Sequence, residues 1–345
     1  MNERVERVRA VVEEPLLATN LVNVRWLTGF RSSNAAVLVE RDRVRVFADF
    51  RYAEQGRQLD GAEFVETSRN LIASLREHLP RRIAFEADHL TYDAYSTLTG
   101  AGLDLVPTTR LVVGLRATKA PEELDGIRRA AAVTDRMFAR LAEERFVGRT
   151  ERELAWRAEQ LLHEEGAEAL AFAVTVAAGA NGANPHTTPG NRRIERGQLV
   201  IVDAGATVGG FCSDCTRTFS TGDLPERLRD AYETVLAAQR AALAEVRAGR
   251  AGRDVDAVAR ELIDATDFAG SFGHGLGHGV GLEVHEAPNM RPESEDVLTA
   301  GSVVSVEPGV YLPGEAGVRI EDLVVVTRDG SEVLSRFTKE LVEVA

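Results

Sequence analysis

The sequence is poor in features that direct a protein to membranes, nucleic acids or the secretory pathway. No run of about twenty apolar residues occurs. The charged first residues, MNERVERVRAVVEE, lack the apolar core of a signal peptide. No Lys/Arg run offsets the formal net charge of -13, which argues against nucleic acid and anionic membrane surfaces as partners. We therefore expect a cytoplasmic protein that binds neither nucleic acid nor membrane.

Cysteine is also scarce, with only Cys212 and Cys215, which form a CSDC pair. Such spacing occurs in redox motifs and zinc sites. A zinc knuckle needs a second ligand pair nearby, and a thioredoxin-type motif opens a helix, whereas FCSDCTRTF has the β-rich composition of a strand. We favour two structural cysteines that flank Asp214, and the role of the pair stays open.

The chain has 345 residues, which is long for one typical core, so two domains are expected. Residues 1–115 alternate short apolar runs with polar helical stretches, which predicts a small α/β domain without a visible catalytic cluster. Pro121 is well placed at the first position of a helix, and the apolar residues after it recur at helical spacing. A second domain, residues 116–345, is predicted to begin at this transition. Further helices are predicted from Thr150, from Pro225 and from near Asp254.

The densest group of candidate functional side chains is the segment GHGLGHGVGLEVHE, from Gly273 to Glu286. It holds three of the chain's seven histidines, namely His274, His278 and His285. Glycines at alternate positions let backbone and ligand approach closely, and neutral imidazoles can bind a metal or move protons. The segment therefore predicts a functional site.

Two aspartates are predicted to meet across a β-hairpin in QLVIVDAGATVGGFCSDCTRTFS. If Val208 and Gly209 form its tip, Asp203 and Asp214 lie directly opposite each other. Their Cβ atoms would then be about 5 Å apart. Two carboxylates that close repel each other, and an unpaired buried charge is costly. A metal ion between them is the natural resolution.

A second acidic hairpin is predicted near the end of the chain. There Glu307 and Glu321 can face each other in the strand-like runs SVVSVEPGVYL and GVRIEDLVVV. Either glutamate could instead form a buried salt bridge with Arg319 or Arg217. The presence of two acidic hairpins and a histidine cluster in one domain favours a metal site.

The combined ligand set contains four carboxylates and one imidazole. An oxygen-dominated shell suits harder divalent ions such as manganese, with cobalt, iron or zinc as alternatives, better than a structural zinc site built from thiolates. The donors suffice for two ions that share bridging carboxylates, and such a pair can present a hydroxide to a carbonyl carbon. The set is Asp203, Asp214, His278, Glu307 and Glu321.

These motifs resemble the proline-specific peptidases of the pita-bread fold, prolidase and aminopeptidase P, whose relatives include methionine aminopeptidase. The resemblance spans essentially the whole chain, from the LTGF segment at Leu27 to Phe30, through the LRATKAPEEL entry to the second domain, to every ligand motif in family order. It implies an α/β creatinase-like N-terminal domain followed by an α+β pita-bread catalytic domain, and a homodimer.

The resemblance also implies a role for each metal ligand. Asp203 chelates one ion, Asp214 and Glu321 bridge both ions, and His278 with Glu307 completes the second. Catalytically inactive relatives depart from this set, so its retention favours a working enzyme over a non-catalytic scaffold of the same fold.

Further residues acquire roles by the same resemblance. His186, in NPHTTPG, would contact the scissile region or the leaving group, and His285 would stabilise the oxyanion. Glu307 is a candidate to shuttle a proton to the leaving nitrogen. Arg319 would support the metal-binding acids or orient the substrate. His274 is expected to line the pocket.

The implied reaction is hydrolysis of the peptide bond before proline by a metal-bridging hydroxide. The compact length favours prolidase, which takes Xaa-Pro dipeptides, and aminopeptidase P, which takes longer peptides, is the alternative. A dipeptidase must recognise the free carboxylate that follows the proline ring. Arg31, in LTGFRSSN, is a candidate if the N-terminal domain of a partner subunit reaches the site, and a solvated arginine is the other interpretation. The motif from Arg319 to Asp322 counts against methionine aminopeptidase.

Overall fold

The structure of the protein is a computed structural model that describes residues 3–344. The chain forms two compact units, one ending at Arg116 and the other beginning at Ala117. Residues 1, 2 and 345, which the predicted domain limits include, lie outside the described residues. Among the described residues, no helix combines the length and apolar character needed to cross a bilayer.

The first unit is built on a single mixed sheet. Its elements in chain order are α1 (Glu3–Arg9), β1 (Leu16–Ala18), α2 (Leu21–Thr28), β2 (Ala35–Val39), β3 (Val44–Asp49), a 3-10 turn (Phe50–Tyr52), α3 (Ala53–Gly56), β4 (Glu63–Thr67), α4 (Leu71–Leu75), β5 (Arg82–Glu86), α5 (Tyr92–Gly100), β6 (Asp104–Thr108) and α6 (Leu111–Arg116). The strand order is β4-β3-β2-β1-β5-β6. Strands β2 and β3 are buried at every position, as expected for the centre of a covered sheet.

The second unit contains longer helices and several smaller sheets. Its elements are α7 (Pro121–Leu141), α8 (Glu151–Glu164), β7 (Ala169–Leu170), β8 (Thr175–Ala178), a 3-10 turn (Gly179–Ala183), β9 (Leu199–Ala204), β10 (Ala206–Val208), β11 (Phe211–Cys212), β12 (Cys215–Ser220), α9 (Glu226–Glu245), α10 (Gly252–Asp264), β13 (Gly277–Gly279), β14 (Glu286–Met290), β15 (Val303–Val306), β16 (Gly309–Leu312), β17 (Ala316–Arg319), β18 (Asp322–Val326) and β19 (Ser331–Val333). The sheet orders are β11-β10-β7, β12-β9-β8 and β14-β13-β15-β18-β19, with β16 paired to β17.

The predicted helix starts in the second unit are confirmed, and local hydrogen bonds explain them. Pro121 occupies the first turn of α7. At α8, the Thr150 hydroxyl accepts from the Glu153 backbone N–H at 3.2 Å, and the Glu153 carboxylate accepts from the Thr150 N–H at 2.8 Å. This reciprocal capping satisfies two N–H groups that the helix itself leaves without partners.

Two pairs of helices cover two sets of strands. Helices α7 and α8 share an apolar core with β8, β9 and β12, which includes Phe138, Leu154 and Phe219. Helices α9 and α10 share a second core with β15 and β18, which includes Tyr232 and Val324. The unit therefore has two helix-covered halves, and the candidate ligands are divided between their strands.

Candidate metal centre

The first acidic hairpin forms, but its register differs from the predicted one. Gly209 and Gly210 occupy the turn, with φ values of 60° and 80°. Asp203 lies opposite Thr216, so the prediction that it directly faces Asp214 is wrong. A two-residue hairpin turn with two positive φ angles favours glycine at both positions, whereas the predicted tip would have placed a valine there.

The shifted register still leaves both aspartates on one face of the hairpin. Asp214 precedes Thr216 by two residues, and side chains two apart along extended backbone point the same way. Asp203 and Asp214 are therefore diagonal neighbours. Oxygen atoms of Asp203, Asp214 and Glu321 all lie within 4.8 Å of one another.

The second acidic hairpin brings its two glutamates opposite each other. The β15–β18 ladder ends with Val306 opposite Asp322. The β16–β17 ladder resumes in the same register beyond the glutamates. Glu307 and Glu321 occupy the break between the two ladders and, in this register, lie opposite each other.

His278, on β13, directs one ring nitrogen at the acids. Its Nδ1 lies 3.1 Å from the carbonyl oxygen of Gly279, and because a carbonyl can only accept, Nδ1 carries the proton. Its Nε2 lies 3.2 Å from Glu307 Oε1 and 3.6 Å from Asp214 Oδ2. An imidazole lone pair that faces carboxylate oxygens is repulsive unless a proton or a metal ion lies between them.

The electrostatics of the acids show an excess of negative charge. Burial raises the pKa of Asp214 and of Glu321 well above their usual values, and the neighbouring acids raise both further. Burial also raises the pKa of Asp203, although a neighbouring arginine opposes this. At Glu307 burial acts in the same direction, but the hydrogen bond and charge of His278 outweigh it and lower the pKa to about 2. The side chains around these acids do not neutralise them all.

Two buried oxygen atoms of these acids lack partners in the described part of the chain. Asp203 Oδ1 and Glu321 Oε1 are buried and have no hydrogen-bond partner within residues 3–344. A buried polar atom without a partner costs about 1–3 kcal/mol, and more if it is charged. A divalent cation that prefers oxygen ligands would satisfy both atoms and offset the repulsion between the acids. The donor set therefore fits a metal.

Arg319 is held by three groups around the acids. Its Nη2 donates to Asp203 Oδ2 at 2.7 Å, its Nη1 to the Tyr311 hydroxyl at 3.1 Å, and its Nε to Thr216 Oγ1 at 3.0 Å. The Thr216 hydroxyl in turn donates to Glu321 Oε2 at 2.9 Å. This network orients one oxygen of each acid and leaves the other free.

The sequence analysis missed three side chains that orient the acids. Thr216 lies two residues after Asp214, and Ser305 lies two residues before Glu307 and donates to its Oε1 at 2.9 Å. Strand periodicity could have identified both, because residues two apart share a face. Tyr311 has no such signal, since only the tertiary fold brings it to this network.

Neither arginine forms the salt bridge with a glutamate that the sequence left open. Arg319 pairs with Asp203, and Arg217 Nη2 donates to Asp322 Oδ1 at 2.9 Å. Arg217 also donates to the backbone carbonyl of Glu321. The carboxylates of Glu307 and Glu321 are thus free of arginine partners within the described residues.

A cavity of about 640 Å³ opens onto the acids. It is lined by all five candidate ligands and by His186, His274, His285 and Arg319, which are the other candidates of the second unit. Apolar and further polar side chains complete its wall, among them Phe172, Val174, Pro185, Pro189, Asn289 and Arg291. An acidic centre at one cavity with mixed walls suits a small peptide substrate.

The histidines of the cavity differ in their surroundings. His285 is partly exposed, and its ring lies 4.2 Å, centroid to centroid, from the ring of His278. Burial, together with the charge of His278, lowers the pKa of His285, which favours the neutral imidazole. His274 Nε2 lies 2.9 Å from the Tyr311 hydroxyl, and burial lowers the pKa of His274. His186 is exposed.

The remaining candidates lie elsewhere in the chain. Arg31 is an exposed residue of the first unit, in the loop after α2, and its part in carboxylate recognition stays a prediction. Cys212 and Cys215 are buried and not joined by a disulfide. Burial raises the pKa of the Cys215 thiol well above its usual value, which disfavours a thiolate.

Two protein-family models match the chain. The model of metallopeptidase family M24 matches residues 125–328, and that of the creatinase/prolidase N-terminal domain matches residues 4–118. The first match alone covers more than half of the chain. Together they confirm the predicted fold class, a creatinase-like N-terminal domain followed by a pita-bread catalytic domain.

Solved structures and curated relatives agree with these matches. A Xaa-Pro dipeptidase from Bacillus anthracis superposes with a TM-score of 0.95 at 36% identity, covering 99% of both chains. An X-Pro aminopeptidase from Thermotoga maritima gives a TM-score of 0.90 at 30% identity, covering 98% of this chain and 100% of the other. A Xaa-Pro dipeptidase from Pyrococcus furiosus is 40% identical over 231 residues, which are 67% of this chain and 66% of that protein. The chain therefore belongs to metallopeptidase family M24 and is an enzyme of that family.

Proposed function

We propose that the protein is a Xaa-Pro dipeptidase that hydrolyses the bond before proline with two divalent metal ions. The observation that carries this proposal is the convergence of four acids and one imidazole from separate hairpins on one cavity, with two of the acid oxygens buried and without partners. The two dipeptidases named above are 36% and 40% identical to the matched parts of this chain, which supports the same chemistry.

The geometry supports a division of the ligands between two ions. Asp214 belongs both to the three-acid group with Asp203 and Glu321 and to the surroundings of His278. With the division that the family resemblance implies, Asp203 would hold one ion, His278 and Glu307 would hold the other, and Asp214 and Glu321 would serve both. Four carboxylates favour manganese, with cobalt, iron or zinc as alternatives. When bound, such ions supply Lewis acidity and a nucleophile derived from water at neutral pH.

The remaining cavity residues would handle the substrate and its protons. Neutral His285 can donate an N–H to the oxygen on which negative charge develops. His186 lines the same cavity and would contact the scissile region or the leaving nitrogen. Glu307, as a ligand beside His278, would carry the proton that the proline nitrogen needs in order to leave.

Selectivity for dipeptides requires a cation that meets the carboxylate of proline, and Arg291 suits this role. It lines the cavity and is exposed. Its side chain has no ion-pair or hydrogen-bond partner among residues 3–344. Arg319, the other arginine of the wall, is held by Asp203, Tyr311 and Thr216. A guanidinium matches a carboxylate with two parallel hydrogen bonds, so Arg291 is a candidate that sequence reasoning missed.

Peptide length tests this proposal. With manganese present, Ala-Pro is expected to be cleaved with a higher kcat/KM than Ala-Pro-Ala-Ala. Arg291→Gln should raise KM for Ala-Pro about tenfold or more, as expected for losing a charged hydrogen bond. It should leave Ala-Pro-amide unaffected. Arg31→Gln is the matched variant, and an effect on Ala-Pro alone would transfer the role to Arg31.

Aminopeptidase P is the second candidate because the Thermotoga maritima structure shares the fold over nearly the whole chain. Preferential cleavage of Ala-Pro-Ala-Ala would favour it and would contradict the dipeptidase proposal. No hydrolysis of any Xaa-Pro peptide with manganese would instead favour a scaffold. We also propose, from the sequence pattern, a cytoplasmic protein with domains at residues 1–115 and 116–345, and, from the family resemblance, a homodimer.

A further inference from the structure

The segment from Ser271 to Gly277 leads from α10 to β13 and carries His274. Before β13 begins, its residues belong to no helix or strand. The Leu276 carbonyl accepts from Glu307 N–H at 2.8 Å and the Ser271 carbonyl accepts from Tyr311 N–H at 3.1 Å. The other buried backbone groups of the segment also need partners.

Two side chains of α10 supply these partners at alternate residues. Arg260 donates to the carbonyl of Phe272 at 2.7 Å and to the carbonyl of His274 at 2.8 Å. Asp256 Oδ1 accepts from the N–H of Leu276 at 2.9 Å. The helix therefore satisfies three backbone groups of this segment through two side chains.

The two helical residues are locked to each other. They lie four apart on α10, so they face the same side. Arg260 Nε and Nη2 donate to the two oxygens of Asp256 at 2.9 and 3.0 Å, a bidentate pair. The Asp256 side chain is 1% exposed and that of Arg260 is 25% exposed. This pairing fixes the direction of the Arg260 and Asp256 atoms that bond to the backbone of the segment.

Contacts between aromatic rings connect Arg260 to side chains that lie next to the acids. The Arg260 guanidinium lies 4.3 Å from the centroid of the Phe272 ring, and that ring packs edge-on against His274 at 5.0 Å. His274 bonds to Tyr311, which accepts from Arg319. The helix is thus connected to the side chains that orient the metal ligands.

We propose that Asp256 and Arg260 are positioning residues of the metal centre, which fix the segment that carries His274 and leads directly to the ligand His278. The proposal depends on the metal site of the proposed function. Neither residue lines the cavity, so both act through the backbone of Phe272 to Leu276. The consequence that distinguishes this role from a purely structural one is expected in metal binding.

The test measures binding of Mn²⁺ alone, by calorimetry on chelated protein. Arg260→Ala should weaken Mn²⁺ binding about 10- to 100-fold, the usual effect of losing a residue that orients ligands. Arg260→Lys keeps the charge but cannot reach both carbonyls with a rigid fork, so an intermediate loss is expected. Asp256→Asn keeps an acceptor for the Leu276 N–H, so its Mn²⁺ affinity should stay within about threefold of the wild type.

Arg227 on α9 provides a matched control. It also pairs with an acid, Glu315 at 3.3 Å, and lies 5.4 Å from an aromatic ring, that of Phe268. Within the described residues, Arg227 forms no hydrogen bond to the backbone of the segment from Ser271 to Gly277. Arg227→Ala should therefore bind Mn²⁺ as the wild type does.

Three outcomes decide the proposal. Equal Mn²⁺ affinity of Arg260→Ala and the wild type, with only a lower Tm, would reduce the pair to a stability role and overturn it. If Arg260→Ala does not fold, Arg260→Lys decides by the same measurement. A wild-type protein that binds no Mn²⁺ would contradict the proposed function itself, whereas normal wild-type binding with unaffected variants would contradict only the positioning role.

Discussion

Two consecutive acids, Glu321 and Asp322, show how the fold treats buried carboxylates in opposite ways. Their exposed fractions are 1% and 0%. Asp322 Oδ1 accepts from Arg217 at 2.9 Å, and its Oδ2 accepts from Lys339 at 2.5 Å and from Gln239 at 3.1 Å. Glu321 has one oxygen on a threonine hydroxyl and one with no partner in residues 3–344.

The alternation of β12 separates the two environments. Thr216 points to the face of Glu321 and the other candidate ligands, and Arg217 points to the face of Asp322. Arg217 also donates to the carbonyls of Phe337 and Thr338, which ties the end of the chain to this strand. A buried acid that the protein supplies with donors is structural, whereas one surrounded by other acids indicates a bound cation.

The largest expected effect is on catalytic activity, which should depend on the acids around Glu321 and not on the ion pairs of Asp322. Asp214→Asn should lower kcat/KM for Ala-Pro at least about 10⁴-fold, the scale seen when hydrolases lose a central catalytic group. The metal-free variant should be no less stable than the metal-free wild type, because a neutral amide relieves repulsion among the acids. Peptide assays with manganese and urea unfolding measure the two effects. Retention of a tenth of the activity would contradict the role of Asp214.

The next largest effect is expected on the free energy of unfolding. Arg217→Met should reduce the free energy of unfolding by about 3–5 kcal/mol, because it leaves Asp322 buried with a lost partner. Urea unfolding of the chelated protein measures this without any contribution from metal binding. The control is Arg240→Met, whose partner Glu340 is 69% exposed and whose loss should cost at most about 1 kcal/mol. Similar losses for the two variants would refute the structural role of Arg217.

A smaller effect, on Mn²⁺ affinity, is expected from removing the Thr216 hydroxyl. Thr216→Val removes the donor to Glu321 and the acceptor of Arg319, so Mn²⁺ affinity should fall about tenfold. Thr218→Val is matched, since Thr218 lies on the same face of β12 but bonds only to the backbone of Arg319. Its Mn²⁺ affinity should stay within about twofold of the wild type. Equal losses would show that the strand as a whole, and not the Thr216 contact, matters.

Local signals in the sequence account for much of the fold and for the choice of ligands. Pro121 and the Thr150 capping box fix helix starts because their effects act within one turn. Asp203 stands out because it interrupts an apolar strand where a charge is costly. These inferences need no knowledge of distant parts of the chain.

Other features depended on turn geometry or on tertiary packing. The register of the first hairpin follows from which two residues take positive φ, and the Gly209-Gly210 pair was not distinguished from the neighbouring position. Tyr311, Arg291 and the Asp256–Arg260 pair acquire their roles only when separate segments meet. The sequence offered both arginines, Arg217 and Arg319, as partners of the glutamates, and the fold pairs both with aspartates.

The most direct test of the metal centre is the number of Mn²⁺ ions bound per chain, measured on the sample whose Ala-Pro hydrolysis is assayed. After chelation and reloading, the wild type should bind two ions, with activity returning as they bind, and Asp214→Asn should bind fewer. Asp322→Asn should retain the wild-type number. Full hydrolysis by a preparation shown to be free of metal, or two ions bound equally by Asp214→Asn, would contradict the account.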